Sequence, residues 1–292
     1  MQQQGQAYLL GLIAVLCWST VASAFKLSLR YLDPIQLLLY ACLTSIAVLA
    51  LVLCLQGRFG LLFGYSRREY LQSLGLGLLN PLLYYLVLLK AYDLLPAQEA
   101  QALNYTWALT LALLSVPLLK QKLGAAEIAA GLVCYSGVVV ISTRGDLAGF
   151  HFSNALGVAL ALGSTVIWAL YWIFNTRDRR DPVAGLLLNF LFALPFILLA
   201  CLLFSSPWPI DGRGLLGAAY VGVFEMGITY VLWLLALKRS DNAARIGNLI
   251  FISPLFSLIF IHLLVGEEIL PSTLVGLGLI LAGLLIQKVR RG

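Results

Sequence analysis

The stretch that decides the fold is residues 77–91, GLLNPLLYYLVLLKA, because residues 222–236, GVFEMGITYVLWLLA, repeat its plan. The two stretches align without a gap at a shift of 145 residues, and the alignment continues downstream. Its identical pairs include Gly77/Gly222, Tyr85/Tyr230, Ala91/Ala236 and Gly131/Gly276. We therefore predict that the chain holds two copies of one five-helix repeat, residues 1–145 and residues 146–292.

Composition places both copies in a membrane. Of the 292 residues, 61% are hydrophobic and 11% are charged, which is more apolar surface than a soluble protein of this size can bury. Ten segments have the roughly 20 apolar residues that a helix needs to cross the hydrocarbon core. They are residues 7–29, 35–56, 70–92, 97–119, 124–142, 154–175, 183–205, 214–237, 243–264 and 270–288. The predicted fold is an all-α integral membrane protein with ten transmembrane helices.

An odd number of spans in each copy makes the repeats inverted. After five crossings the second copy enters the bilayer from the opposite side, and inverted repeats with a site between them are common among secondary transporters. Asp33-Pro34 and Asp181-Pro182, which open the second and seventh spans, agree with the repeat, although Pro in a first helical turn is also ordinary helix punctuation. Small residues in spans five and ten, such as Gly137 and Gly276, predict closely packed scaffold helices.

The basic residues predict the orientation. With the N-terminus inside and the connections assigned alternately, 14 of the 19 Lys and Arg residues fall inside and five outside. The outer five are Lys26, Arg30, Lys90, Arg144 and Arg213. This bias predicts that both termini are cytoplasmic. The net charge of +6 therefore indicates topology, and we expect no nucleic-acid partner.

The sequence gives little support for other classes of function. The five cysteines all lie in predicted spans without metal-ligand spacing, so we expect neither disulfides, nor a metal, nor a cofactor. An integral-membrane transferase is the enzymatic alternative, but the two histidines, His151 and His262, are far apart and no Asp-rich motif accompanies them. A channel would show a filter-like loop or an oligomeric ring. Without a Gly-rich phosphate loop, nothing indicates an ATPase subunit.

Several short motifs carry a family resemblance: Gly11-Leu12-Ile13-Ala14, Trp18-Ser19-Thr20, Lys26, Gly266-Glu267, Gly276 and Ala282-Gly283. In these the chain resembles the ten-helix EamA-type members of the drug/metabolite transporter superfamily. Asn104-Tyr105-Thr106-Trp107 and Trp168-Ala169-Leu170-Tyr171 are similar to a branch that exports aromatic and other amino acids. The resemblance implies a secondary transporter that exports small organic metabolites, amino acids foremost, across a bacterial inner membrane by alternating access.

Three positions depart from the family pattern. Tyr40-Ala41-Cys42 stands where Arg is common, and Gln121-Lys122 stands where a Gly-Glu pair is common. Ala108 replaces a Pro that often follows the Asn-Tyr-x-Trp motif. The last change removes the residue expected to kink span four there and leaves Pro117 to bend it nearer its end.

Polar and aromatic side chains inside the spans mark the predicted pathway, since polar groups are expensive in hydrocarbon. In span one, Ser19, Ser23 and Lys26 share a face, with Trp18 beside them. The predicted residues of a central, aromatic-lined substrate cavity are Trp18, Ser19, Asn80, Tyr84, Asn104, Tyr105, Trp107, Trp168, Tyr171 and Glu225. The structural alternatives are aromatic packing between helices and, for the two asparagines, hydrogen bonds across helices.

Among the predicted residues of the cavity, Glu225 is the strongest candidate for a role in binding or coupling. It falls opposite Asn80 in the repeat, at mid-helix, with no cation close to it in sequence, and the membrane midplane at a repeat interface is where transporter sites are expected. We predict that Glu225 binds the ammonium of the substrate or carries a coupling proton. A structural ion pair with Lys or Arg of another helix is the alternative.

The cargo stays open between three classes. Trp and Tyr rings suit aromatic amino acids, because their faces stack on aromatic groups and attract an ammonium. Nucleobases and drug-like organic cations suit the same chemistry. The expected partners are thus a small-molecule substrate, the lipid bilayer and, for coupling, protons.

Overall fold

The computed structural model describes residues 2–120, 125–146, 148, 152–175, 178–209, 211–239 and 248–289. Its α-helices, in chain order, are α1 Gln2–Ser28, α2 Pro34–Leu55, α3 Arg67–Gly77, α4 Tyr84–Leu94, α5 Ala97–Asn104, α6 Trp107–Leu119, α7 Ala125–Ser142, α8 Ala155–Asn175, α9 Pro182–Phe204, α10 Gly212–Tyr220, α11 Ile228–Arg239, α12 Ser253–Phe260 and α13 Pro271–Val289. Gln121-Lys122, His151 and the start of the ninth predicted span lie outside the described residues.

The chain has the all-helical membrane fold that the sequence predicts. Among the described residues, six helical stretches are long and apolar enough to cross a bilayer: Gln4–Ser28, Pro34–Leu55, Arg67–Leu94, Ala155–Asn175, Pro182–Phe204 and Gly212–Trp233. Shorter apolar helices cover Gly131–Ser142, Ser253–Val265 and Pro271–Gly283. The second, sixth, seventh and tenth predicted spans are unbroken helices whose ends fall within a residue of the predicted ones.

The third, fourth and eighth predicted spans are interrupted instead, and the described part of the ninth begins with a 3₁₀ turn. A π-helical turn, Leu78–Leu83, separates α3 from α4, and a second one, Val221–Glu225, lies between α10 and α11. Tyr105 and Thr106 separate α5 from α6, and a 3₁₀ turn, Asn248–Ile252, precedes α12. At the 145-residue shift, residues 78–83 correspond to 223–228, so the breaks recur at equivalent levels. The fourth span breaks within the Asn104-Tyr105-Thr106-Trp107 motif even though Ala108 replaces the expected Pro.

Contacts group the chain into two compact units. The first unit comprises Met1–Leu86 and Asp178–Val265, and the second comprises Val87–Arg177 and Gly266–Gly292. Each unit therefore draws helices from both predicted repeats.

In the first unit, α2 and α9 lie antiparallel and cap each other's ends. Asp33 accepts hydrogen bonds from the backbone of the first turn of α2 and from the Ser205 hydroxyl, which follows α9. Asp181 caps α9 in the same way and forms an ion pair with Arg58, which follows α2. The N-terminus of each helix thus lies beside the C-terminus of the other, so these repeat-related helices run in opposite directions.

Two repeat-related glycines let helices of the first unit approach closely. A Cβ atom added to Gly77 would lie 2.2 Å from the carbonyl oxygen of Asn189, and one added to Gly222 would lie 2.4 Å from that of Ala41. Asp33 and Asp181 differ by 148 residues, as do Ala41 and Asn189. The two approaches are therefore equivalent contacts, α3 against α9 and the second π turn against α2.

In the second unit, α7 and α13 pack through glycine, as the small residues of spans five and ten predict. A Cβ on Gly137 would lie 2.4 Å from the Gly276 carbonyl oxygen, and one on Gly276 would lie 2.7 Å from that of Gly137. Glu267 binds the start of α5, because its carboxylate accepts hydrogen bonds from the backbone N–H groups of Ala97 at 2.8 Å and Gln98 at 3.3 Å.

A buried arginine joins α3 to the segment before α9. The Arg180 guanidinium pairs with Asp178, with Nη2 2.6 Å from Oδ2, and donates to the Glu69 carbonyl oxygen at 3.1 Å and to the Ser73 hydroxyl. Burial raises the pKa of Asp178, but the hydrogen bonds and charge of Arg180 outweigh it and hold the pKa below its ordinary value. Asp178 is therefore ionised and paired at neutral pH.

We expect Gly276→Ala to destabilise the protein by about 1–3 kcal/mol, since its methyl group must displace the Gly137 backbone or Ile141. Gly278→Ala is the matched control on α13, because a Cβ there meets nothing within 4 Å. Thermal unfolding in detergent measures both. Equal midpoints for the two variants would contradict the close α7–α13 packing.

Arg180→Gln is expected to cost about 3 kcal/mol at pH 7, because it leaves a largely buried Asp178 carboxylate without its cation. The folded-state pKa of Asp178 is depressed, so the stability from the pair is present above the unfolded pKa and lost as pH falls through the folded one. The difference from the unsubstituted protein should accordingly shrink in acid. Arg179→Gln, at the neighbouring exposed position, should change the unfolding midpoint little at either pH.

Candidate functional site

The side chain that meets Glu225 is Tyr85. The Tyr85 hydroxyl donates a hydrogen bond to Glu225 Oε1 at 2.9 Å, and the Tyr85 side chain is fully buried. Glu225 ends one π turn, and Tyr85 stands in the first turn of α4 directly after the other. The two repeat-related helix breaks of the first unit thus bring a carboxylate and a phenol together.

Aromatic rings hold the Tyr85 phenol in place. Its ring packs edge-on against Tyr84, with ring centroids 4.8 Å apart, and against Phe25 at 6.4 Å. Edge-to-face contacts of this kind favour one ring orientation. The hydroxyl is therefore directed to Glu225 by packing rather than by a second polar partner.

No lysine or arginine among the described residues forms an ion pair with Glu225. The Tyr85 bond engages Oε1, and Oε2 accepts no hydrogen bond from a described side chain or backbone group. An ionised carboxylate accepts several hydrogen bonds through its two oxygens. Within the described chain, Glu225 consequently retains capacity to bind a cationic or hydrogen-bond-donating ligand.

Trp18 and Ser19 lie on α1 in the same unit, and α1 contacts the π turn that ends at Glu225. The Trp18 ring packs edge-on against Tyr230 at 5.8 Å and tilted against Trp233 at 5.4 Å. Ser19 is fully buried; its hydroxyl oxygen lies 2.7 Å from the Val15 carbonyl oxygen and 3.2 Å from Ser253 Oγ. Ser19 therefore ties α1 to α12, whereas Trp18 belongs to an aromatic cluster.

Asn80 is buried in the break between α3 and α4. Its backbone is non-helical, with φ −145° and ψ 116°, and its side chain is 1% exposed. Neither its Oδ1 nor that of Asn189 on α9 has a hydrogen-bond partner among the described residues. The Asn80 oxygen therefore makes no hydrogen bond across helices to a described residue.

The other five predicted residues belong to the second unit. Asn104 Nδ2 donates to Ser164 Oγ at 3.0 Å, and the Thr110 and Thr165 hydroxyls lie 2.9 Å apart, so α5 and α6 are joined to α8 by hydrogen bonds. Trp168 and Tyr171 stack with centroids 5.6 Å apart and planes 24° apart. Tyr105 lies in the break between α5 and α6, Trp107 begins α6, and both residues are partly buried.

Two buried polar residues that bind a charged partner were not predicted from the sequence: Tyr85 and Glu99. In the sequence, Tyr85 stands out only because it is identical to Tyr230 at the 145-residue shift. The signal that could have identified it is its position five residues after Asn80, which matches the position of Tyr230 after Glu225. Glu99 at the start of α5 is fully buried and accepts hydrogen bonds from Arg144 Nε at 2.8 Å and from the Ser153 hydroxyl. Among the described residues, no group of three or more His, Cys, Asp and Glu side chains could hold a metal ion.

Comparison with known proteins agrees with this architecture. The profile of the EamA-like transporter family matches residues 5–143 and again residues 155–287. An aromatic amino acid exporter, YddG of Ancylobacter novellus, is 29% identical over 87% of each chain. An uncharacterized transporter of Archaeoglobus fulgidus is 25% identical over 98% of each chain. A solved crystal structure of a chain 25% identical in sequence matches 98% of both chains with a TM-score of 0.68.

A double-mutant cycle tests the Tyr85–Glu225 contact. Tyr85→Phe and Glu225→Gln should each change the free energy of unfolding, and the pair should be non-additive by about 1.5–3 kcal/mol, the range for hydrogen bonds to charged groups. The measurement is thermal unfolding of the single and double variants. Additivity within about 0.5 kcal/mol would show that the two groups do not interact.

Proposed function

The chain belongs to the EamA-like transporter family, and we propose that it exports small organic metabolites, above all amino acids with aromatic members, across the inner membrane. The observation that carries the choice of cargo is the Glu225 carboxylate, which is bound by one phenol and lies on an element packed against the Trp18 helix. A carboxylate near aromatic faces attracts an ammonium, and aromatic rings favour an aromatic side chain. The relative named as an aromatic amino acid exporter supports the same cargo.

We propose that Glu225 alternates between the ammonium of the substrate and a proton. A bare carboxylate is costly in a dry environment, so release of one cation favours uptake of the other. The Tyr85 hydroxyl stabilises the ionised form by donating to Oε1, which leaves Oε2 for the exchanging partner. Exchange of this kind couples outward movement of substrate to inward movement of a proton.

The proposed topology has both termini in the cytoplasm and two inverted repeats, residues 1–145 and 146–292. The 14-to-5 distribution of basic residues supports the orientation. The antiparallel α2 and α9, the paired glycine approaches and the two separate matches to the family profile support the repeats. Inverted repeats are the usual basis of alternating access, which we propose as the transport cycle.

Counterflow in proteoliposomes tests the cargo. Purified full-length protein should exchange radiolabelled tryptophan, tyrosine and phenylalanine saturably, and should exchange adenine and tetraphenylphosphonium far more slowly. Preference for adenine or for the organic cation would assign the alternative cargoes. Absence of exchange with every one of these compounds would overturn the proposal.

Glu225→Gln should abolish the stimulation of tryptophan transport by a proton gradient and lower the rate at least tenfold, because the amide can neither carry the proton nor pair with the ammonium. Glu268→Gln is the control, since the Glu268 side chain is exposed and makes no described hydrogen bond. Transport is measured across pH 5.5–8.5 in the same liposomes. An unchanged rate and pH profile in Glu225→Gln would remove Glu225 from the mechanism.

A further inference from the structure

A cavity of about 280 Å³ lies in the first unit, apart from Glu225, between α1 and α10. One wall is formed by α1, including Thr20 and Ser23, together with Tyr31 in the turn that follows this helix. The other wall is the Arg213, Gly217 and Tyr220 face of α10. Leu264 closes the third side. From Thr20 to Ser28, the last residue of α1, the cavity follows the helix for about 12 Å, at 1.5 Å per helical residue.

The two ends of the cavity differ in chemistry. At one end, the Thr20 and Tyr220 hydroxyl oxygens lie 2.6 Å apart and join the two helices. At the other end, which the basic residues predict to face outside, the Arg213 guanidinium lies over the Tyr31 ring, 4.3 Å from its centroid. The cavity therefore has an apolar body and a mouth that carries a guanidinium.

One polar atom within the apolar body lacks a partner. The Ser23 side chain is 1% exposed, lines the cavity, and its Oγ makes no hydrogen bond to a described residue. The other α1 hydroxyls of the lining are engaged: Ser28 donates to the Ala24 carbonyl oxygen at 2.6 Å, and Thr20 donates to that of Cys17 at 2.7 Å. A buried hydroxyl without a partner is costly, so a ligand in the cavity that offers Ser23 a polar atom would remove this cost.

The arginine at the mouth has donors to spare. Arg213 Nε and Nη2 bind the Asp211 carboxylate at 3.2 and 3.1 Å, while Nη1 binds no described residue. The hydrogen bond from the Arg213 side chain lowers the pKa of Asp211, so the mouth presents an ion pair at neutral pH. A guanidinium has five N–H groups, and its Nη1–Nη2 edge can grip a second carboxylate.

We infer that this cavity is a second amino-acid site, at the outer end of the first unit, that binds an aromatic amino acid on its way out. The carboxylate binds Arg213, the ammonium lies beside Asp211, and the ring fills the apolar body with its N–H or O–H directed to Ser23. This assignment rests on the proposed export of aromatic amino acids. It adds a site for the departing substrate and a residue, Ser23, that favours tryptophan and tyrosine over phenylalanine.

Equilibrium dialysis of labelled tryptophan against full-length protein in phosphatidylcholine nanodiscs tests the site. The unsubstituted protein should bind two tryptophans per chain, and Ala24→Phe, which fills the cavity, should bind one. Leu16→Phe, on an exposed part of α1, is the control and should keep both. A single tryptophan per chain in the unsubstituted protein would overturn the inference.

Charge and hydroxyl variants test the recognition without filling the cavity. Arg213→Gln should weaken the second tryptophan site about tenfold and leave tryptophanamide, which lacks the carboxylate, unaffected. Lys90→Gln removes another outer cation paired with a nearby aspartate and should change neither affinity. Ser23→Ala should weaken tryptophan and tyrosine about fivefold but not phenylalanine. Unchanged tryptophan affinity in Arg213→Gln would overturn the inference.

The remaining outcomes separate this site from its alternatives. An Arg213→Gln effect that arises only in nanodiscs containing phosphatidylglycerol, and that affects tryptophanamide equally, would assign the cavity to a lipid and overturn the inference. Normal tryptophan counterflow with one bound tryptophan would overturn the second site and leave the proposed export standing. Absence of both counterflow and binding would overturn both.

Discussion

A helix that crosses hydrocarbon must satisfy its own backbone N–H and C=O groups, because lipid offers them no partner. Three predicted spans break, at Leu78–Leu83, Tyr105–Thr106 and Val221–Glu225, and give up part of that regular bonding. Such backbone is tolerated at membrane depth only where protein or an aqueous cavity covers it. Asn80, at 1% exposure, shows that the first of these breaks is buried in protein. The breaks therefore determine where polar side chains can reside, and two of them supply Tyr85 and Glu225.

Close backbone packing covers two of these breaks. Gly77 immediately precedes the first π turn and meets the Asn189 carbonyl, while Gly222 lies inside the second and meets the Ala41 carbonyl. A side chain at either glycine would separate the helices and expose the irregular backbone. In lipid, helix association depends on such packing rather than on water exclusion. Two of the glycines on which the predicted repeat rests thus allow the close packing around these breaks.

The sequence predicts the helices better than it predicts their interruptions. Apolar length locates the spans because hydrocarbon thickness sets it, and the bonds made by Asp33 and Asp181 explain why two of the helices begin where they do. Pro81 signals the first break, but no proline lies in Val221–Glu225, where packing of Gly222 on α2 accompanies the break. Tyr85 meets Glu225 across 140 residues of sequence, and hydrophobic periodicity contains no information about such a contact. Glu99 was missed for a similar reason, since its partners Arg144 and Ser153 lie in a distant connection.

The identity of the partner decides what Glu225 can do. A carboxylate paired with lysine or arginine would already be neutralised, and such a pair serves structure. A phenol supplies one hydrogen bond and no charge, so no described residue neutralises the negative charge of an ionised Glu225. A proton and an ammonium can each neutralise this charge, and only one of them can do so at a time. Competition between them at a single carboxylate is sufficient to couple two fluxes, and it requires no second ionisable residue at the site.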